Sequence, residues 1–135
     1  MLPYTVTIAG ENITELNVRN LLLTSLDVSN LSLLADLRCS GNRLTNLDVS
    51  NNTALKYLEC HQNQLTSLDM SHNTALVSLG CSFNQLSAEA LNALFRTLHD
   101  NNINNGHKGI SIQNNPGTST CDRSIATDKG WIVYD

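Results

Sequence analysis

The chain has 135 residues and a formal net charge of −4. That length suits one domain with a real core, and mild acidity without a lysine or arginine cluster excludes a nucleic-acid surface, which needs a basic stripe to neutralise phosphates. Aromatic residues make up 4% and charged residues 15%, so the core must be narrow and leucine-built, and no apolar run is long enough to insert into a membrane.

Met1 is followed by Leu-Pro-Tyr rather than by a basic segment and an apolar stretch, so no signal peptide is expected. Composition is compatible with a cytoplasmic protein and with a trimmed piece of an exported one. Tyr4–Ile8 reads as a short extra strand, turned through residues 9–12 into a half-repeat, ITELNVRNLL (13–22), with Leu16 and Val18 in sheet positions. Leu21, Leu22, Leu31 and Leu33 crowd together where the strict pattern breaks. They either pack under the N-terminal strand or meet a preceding domain.

Three near-copies follow at a spacing of 21 residues: LTSLDVSNLSLLADLRCSGNR (23–43), LTNLDVSNNTALKYLECHQNQ (44–64) and LTSLDMSHNTALVSLGCSFNQ (65–85). Self-similarity at this period marks a solenoid, each unit one coil stacked on the next. Each unit splits into LxxLDVSxNxx and LxxLxCxxNx. Within LDV and LxC the apolar-variable-apolar alternation has the period of a strand, with the middle residue outward. Asn42, Asn63 and Asn84 form a ladder whose inward amides suit the unpaired backbone groups of a tight turn. Asn52 and Asn73 form a second, weaker ladder. Leu31 breaks it, so the first coil should turn differently there.

After Leu86 the repeat gives way to SAEALNALFRTLHDN. Ser87 suits an N-cap with Glu89 in the first turn, and Ala88, Leu91, Leu94, Phe95 and Leu98 share one apolar stripe at helical spacing. Ile110, Ile112 and Asn115 then restore the LxCxxN half. A helix has therefore replaced LDVS while the strand half persists, which assigns LxC to a continuous sheet and LDVS to the opposite side. A second replacement is expected from Thr120 as N-cap through Cys121 and Ile125 to Gly130 as C-cap. Trp131 then opens a last strand and covers the end of the core.

The pattern LxxLxCxxNxL, alternating with LDVSxN, resembles the leucine-rich repeats of proteins exported by gut and oral bacteria. The resemblance covers residues 13–86, with 87–135 as a matching C-terminal cap. It implies an α/β solenoid: a short right-handed leucine-rich-repeat coil, parallel sheet on one face, helices only in the C-terminal cap. It further implies a bacterial secreted or cell-surface location and a concave sheet face that binds another protein or a glycan. With three full repeats, any concavity is short and shallow. The expected organisation is a single domain: 1–22 as N-terminal cap and half-repeat, 23–86 as repeats, 87–135 as C-terminal cap. A monomer is the favoured oligomeric state.

Three sets of residues invite a chemical reading. Cys39, Cys60 and Cys81 recur where a leucine would sit, without the close C-x2-C spacing of metal sites; core filler is the expectation, a disulfide between neighbouring coils or to Cys121 the alternative. Asp27, Asp48 and Asp69 stack like charges that need compensation, from Ser29, Ser50 and Ser71 or from a cation such as calcium. Glu59 and His61 share a strand face with Ser40 and Ser82 beside the histidine, but a flat sheet offers neither pocket nor oxyanion donors, so hydrolase chemistry is a remote alternative. No cofactor, metal or catalytic residue is assigned.

What the repeat leaves free are the outward positions of the sheet strands, with Glu15 at their start. They comprise Asn17 and Arg19; Asp36, Arg38 and Ser40; Tyr57, Glu59 and His61; Ser78, Gly80 and Ser82; then Ser111 and Gln113. Arg38, Tyr57 and His61 at the centre and Phe83 at the rim are residue types found in binding hot spots, and Gly80 leaves a notch beside them. This surface is the candidate partner-binding face. The alternative is a structural spacer, or the capped end of a longer surface protein, with no ligand of its own.

Overall fold

A computed structural model describes Val6, Ile8 and residues 10–135; the strand expected over Tyr4–Ile8 lies mostly outside the described residues. Among the described residues, six short strands follow from the apolar half-repeats: β1 (Glu15–Asn17), β2 (Asp36–Arg38), β3 (Tyr57–Glu59), β4 (Ser78–Gly80), β5 (Lys108–Ser111) and β6 (Trp131–Tyr134). They pair in chain order in a single all-parallel sheet. Leu16, Leu37, Leu58, Leu79, Ile110 and Val133 fall in one register row. The fold is an α/β solenoid, each coil in register with the next.

Stacked leucines dominate the core, with the cysteine column and Val28, Val49 and Met70 beside them. Leu34, Leu37, Leu44, Leu55, Leu58, Leu65, Leu76 and Leu79 are all at most 1% exposed. The coils turn sharply after each of the first five strands, at Asn20, Gly41, Gln62, Phe83 and Asn114, all with left-handed backbone between φ 54° and 70°. Asparagine and glycine adopt that region cheaply, whereas Gln62 and Phe83 hold it against their Cβ preference. At Gly41 the glycine has a second reason, since a Cβ there would lie 1.9 Å from Asn20 Oδ1.

The first asparagine ladder sits as expected, whereas in the second only the amide nitrogens bond, Oδ1 of Asn52 and of Asn73 being buried without a partner among the described residues. Asn63 Oδ1 accepts from Leu44 N (3.0 Å), and its amide donates to Cys39 O and Cys60 O (both 3.1 Å), tying one coil to the one before. Asn84 and Asn115 repeat the pattern. In the second ladder, Asn52 Nδ2 donates to Val28 O and Leu31 O (both 2.9 Å). Leu31 does not alter its turn: Leu31 N bonds Val28 O and Leu34 N bonds Leu31 O, as Asn52 N bonds Val49 O and Leu55 N bonds Asn52 O. The backbone closes this turn by itself, and the asparagine side chain serves the preceding coil, so the first coil tolerates leucine.

The LDVS halves carry no strand. Their backbone bonds are spent within the coil on those turns, and no ladder joins one LDV to the next. Helices occur only after residue 87 among the described residues. α1 (Ala88–Thr97) starts at Ser87, whose Oγ accepts from Ala90 N (3.1 Å), and buries Leu91, Leu94 and Phe95. The second helix is shorter than expected. α2 spans Ser124–Thr127, so Thr120 does not cap it and Cys121 precedes it. Arg123 stands at its N-cap without a side-chain cap bond, and Asp122 Oδ1 accepts from Ser124 N and Oγ (3.1 and 2.5 Å) just ahead of the first turn. Asp128, not Gly130, is the C-cap of α2; Gly130 lies two residues further on, its φ of 81° turning the chain into β6. Trp131 is 2% exposed, its Nε1 donating to His99 O (2.8 Å).

Candidate interaction surface

The repeating columns resolve into framework. Cys39, Cys60 and Cys81 are 0% exposed, and all four cysteines are free thiols, so the disulfide alternative is not realised. Burial pushes the Cys39 and Cys81 thiols up to about 12 and Cys60 well above its ordinary value. Cys60 and Cys81 donate weakly to Gly80 O and Ser111 O (3.3 Å each). On the opposite side, Asp27, Asp48 and Asp69 each accept from the backbone N–H two residues on, at 2.9, 2.9 and 2.8 Å. Hydrogen bonds from Ser29, Ser50 and Ser71 hold these carboxyls below their usual range, which is how the column tolerates its like charges.

The sheet face is different from coil to coil. Toward β1 it is charged but internally paired. Arg38 forks onto Asp36 through Nε (3.1 Å) and Nη2 (2.8 Å), and Arg19 reaches Glu59 two coils away in an ion pair. Asn17 and Glu15 flank them, exposed. Arg38 is therefore committed to a neighbour rather than presented as a free guanidinium. Tyr57 is 47% exposed and Phe83 45%, the latter held outward by its left-handed turn at the rim.

Two expected contact residues are withdrawn from solvent. Ser40 is 3% exposed and Ser82 5%. The His61 ring lies over this column, with Nδ1 3.1 Å from Ser40 Oγ, while the Ser82 hydroxyl is buried without a partner among the described residues. His61 Nδ1 also lies 3.6 Å from where a Cβ of Gly80 would be, so His61 walls one side of the glycine notch. The Ser–His contact lacks an orienting carboxylate, because Glu59 is engaged by Arg19. Ser78 and Gln113 remain exposed; Ser111 is half-buried.

The last strand adds residues that the repeat alignment did not single out. Ile132 and Tyr134 stand outward on β6, 44% and 51% exposed. The Tyr134 ring lies across Gly109 of β5, where any Cβ would come within 2.9 Å of Tyr134 Cε2. The signal was present in the sequence: Trp131 and Val133 alternate with Ile132 and Tyr134 at strand period, so inward Trp131 makes its neighbours outward.

No family model matches the chain, and no curated protein matches it. Among solved structures, the functional domain of InlJ from Listeria monocytogenes, which includes a cysteine ladder, is similar at 26% identity with a TM-score of 0.69. The match covers 96% of this chain and 27% of that one, so this chain spans about a quarter of that structure's length. The similarity is of leucine-rich-repeat-like fold. Among the described residues, no helix is long and apolar enough to cross a membrane.

Proposed function

We propose that the chain is a non-catalytic interaction module that binds another protein through its sheet face, as one domain of a bacterial secreted or surface protein. The observation that carries this reading is the contrast between the two sides. The LDVS side repeats Asp and Ser in every full coil, each engaged by its own turn. The sheet face changes from coil to coil and leaves Tyr57, Ile132 and Tyr134 half exposed, the kind of amphipathic anchors that dominate protein contacts. The similarity to a bacterial functional domain supports the compartment and the role.

The reading is tested by probing an array of candidate extracellular proteins and glycans with the wild-type chain and with a triple Arg38→Ala, Tyr57→Ala, His61→Ala variant. A partner retained by Asp48→Asn but lost by the triple variant supports it. A partner bound equally by all three chains removes the contact from the sheet face, and the absence of any partner favours a spacer. Hydrolytic turnover abolished by His61→Ala would overturn the non-catalytic assignment.

A further inference from the structure

We infer that His61 is a two-position side chain: it rests against Ser40 of the preceding coil, as in this structure, or against Ser82 of the following one. The exchange leaves open or fills the space over Gly80. The device belongs to the fold and is independent of what the sheet face contacts. Register places the two serines in equivalent positions. Arg38, Glu59 and Gly80 are paired neighbours across β2, β3 and β4. Ser40, His61 and Ser82 stand two residues further on, in coils joined by Gly41 N to His61 O (3.1 Å) and Gln62 N to Ser82 O (3.0 Å). Side chains two residues apart share a face, so His61 has an outward hydroxyl on either side at the coil spacing of about 4.8 Å.

Only one of the two hydroxyls is served. Nδ1 is hydrogen-bonded to Ser40 Oγ at 3.1 Å, whereas Ser82 Oγ is buried without a partner among the described residues. The same nitrogen lies 3.6 Å from where a Cβ of Gly80 would be, so the ring already overhangs the following coil. Gly80 has no Cβ, and the next atom near that point is Leu58 O at 3.9 Å, so rotation about the side-chain bonds can carry the ring across. The two positions are close in energy for two reasons. A hydroxyl both donates and accepts, so either serine suits either tautomer of the ring. Each position also satisfies one serine and leaves the other buried and unpaired, and that cost nearly cancels between them. The charged neighbours do not pin the ring, since Glu59 is held by Arg19 and Arg38 by Asp36. Against Ser40 the ring leaves Gly80 open; against Ser82 it covers it.

The test is solution NMR on the isotopically labelled chain, reading nuclear Overhauser contacts from the His61 ring protons to the β-protons of residues 40 and 82. Wild type is compared with Ser40→Ala and Ser82→Ala, each of which removes one oxygen and keeps the β-protons, and with Gly80→Val, which fills the gap without touching either hydroxyl. Amide spectra of β2, β3 and β4 confirm that each variant folds. Wild type should show contacts on both sides. In Ser40→Ala the contact to residue 82 should strengthen about twofold, as a near-even population becomes one-sided. Ser82→Ala and Gly80→Val should both weaken it and strengthen the contact to residue 40. A ring that keeps its wild-type contacts in Ser40→Ala overturns the inference and makes the Ser40 side its single seat. Contacts in Gly80→Val equal to those of wild type overturn the role of the gap. Should a variant not fold, wild type decides: ring contacts to residue 40 alone overturn the inference.

Discussion

Asn63 shows how a single side chain can organise a coil. Its carbonyl satisfies Leu44 N and its amide satisfies Cys39 O and Cys60 O, three backbone groups belonging to two coils. Asn63→Ala leaves Leu44 N buried and unpaired, a cost of about 1–3 kcal/mol before relaxation, while Cys39 O keeps Asn42 and Cys60 O keeps Asn84 as donor. Urea unfolding of this variant should show a loss of about 1–3 kcal/mol, and a loss below about 0.5 kcal/mol would mean that water replaces the amide. This role was legible from the ladder, since only a donor-acceptor side chain at each turn suits that environment. The cysteines were equally legible as core. Burial holds Cys39, Cys60 and Cys81 protonated, so a thiol reagent should modify Cys121 alone in the native protein and the other three only on unfolding. Native reactivity at Cys60 equal to that of Cys121 would contradict this.

At the scale of elements, the LDVS turn and the cap helices diverge from what periodicity suggested. Alternation in LDV has strand period, yet its hydrogen bonds close turns within the coil, and periodicity cannot distinguish an extended stretch with a partner from one without. The aspartates there tie stability to pH. Their carboxyls lie below the ordinary value of 3.8 in the folded state. The stability they contribute is therefore complete above that value and is lost as pH falls through the lowered folded-state values. The prediction is that wild type loses more of its urea resistance between about pH 6 and about pH 3 than a triple Asp27→Asn, Asp48→Asn, Asp69→Asn variant. Equal losses would show that the turns are not linked to these protons. Within the cap, α2 begins at Ser124 with Arg123 at its N-cap and no side-chain cap bond, Asp122 Oδ1 accepting from Ser124 N and Oγ just ahead of it. Lys129 could not be read in advance: its Nζ donates to Phe95 O, Arg96 O and Leu98 O at the end of α1, 31 to 34 residues earlier in the chain.

Over the whole molecule, each coil contacts mainly its neighbours, so stability is a sum of coil terms and interfaces, and the ends matter disproportionately. Trp131 closes the C-terminal end, edge-on to His99 at 5.4 Å between ring centroids and bonded to its carbonyl. Trp131→Ala should cost about 3–5 kcal/mol. Because the lost interface is terminal, hydrogen exchange should rise first in β5 and β6 and least in β2 and β3. Uniform acceleration along the sheet would show one cooperative unit instead.

The sequence by itself determined the solenoid, the register of the sheet and the inward leucine, cysteine and asparagine columns. The reason is that a fixed 21-residue period places equivalent residues in equivalent environments, and local alternation decides which way each points. Only the tertiary structure decided how the outward residues meet one another. Arg38 spends its charge on Asp36, Arg19 reaches Glu59 across an intervening coil, and His61 covers Ser40. Tyr134 lies over Gly109, a residue from a different element. These contacts join coils through side-chain conformation, which no period encodes, and they leave the charged side chains of the candidate face paired toward β1 while Ile132 and Tyr134 stand exposed on β6.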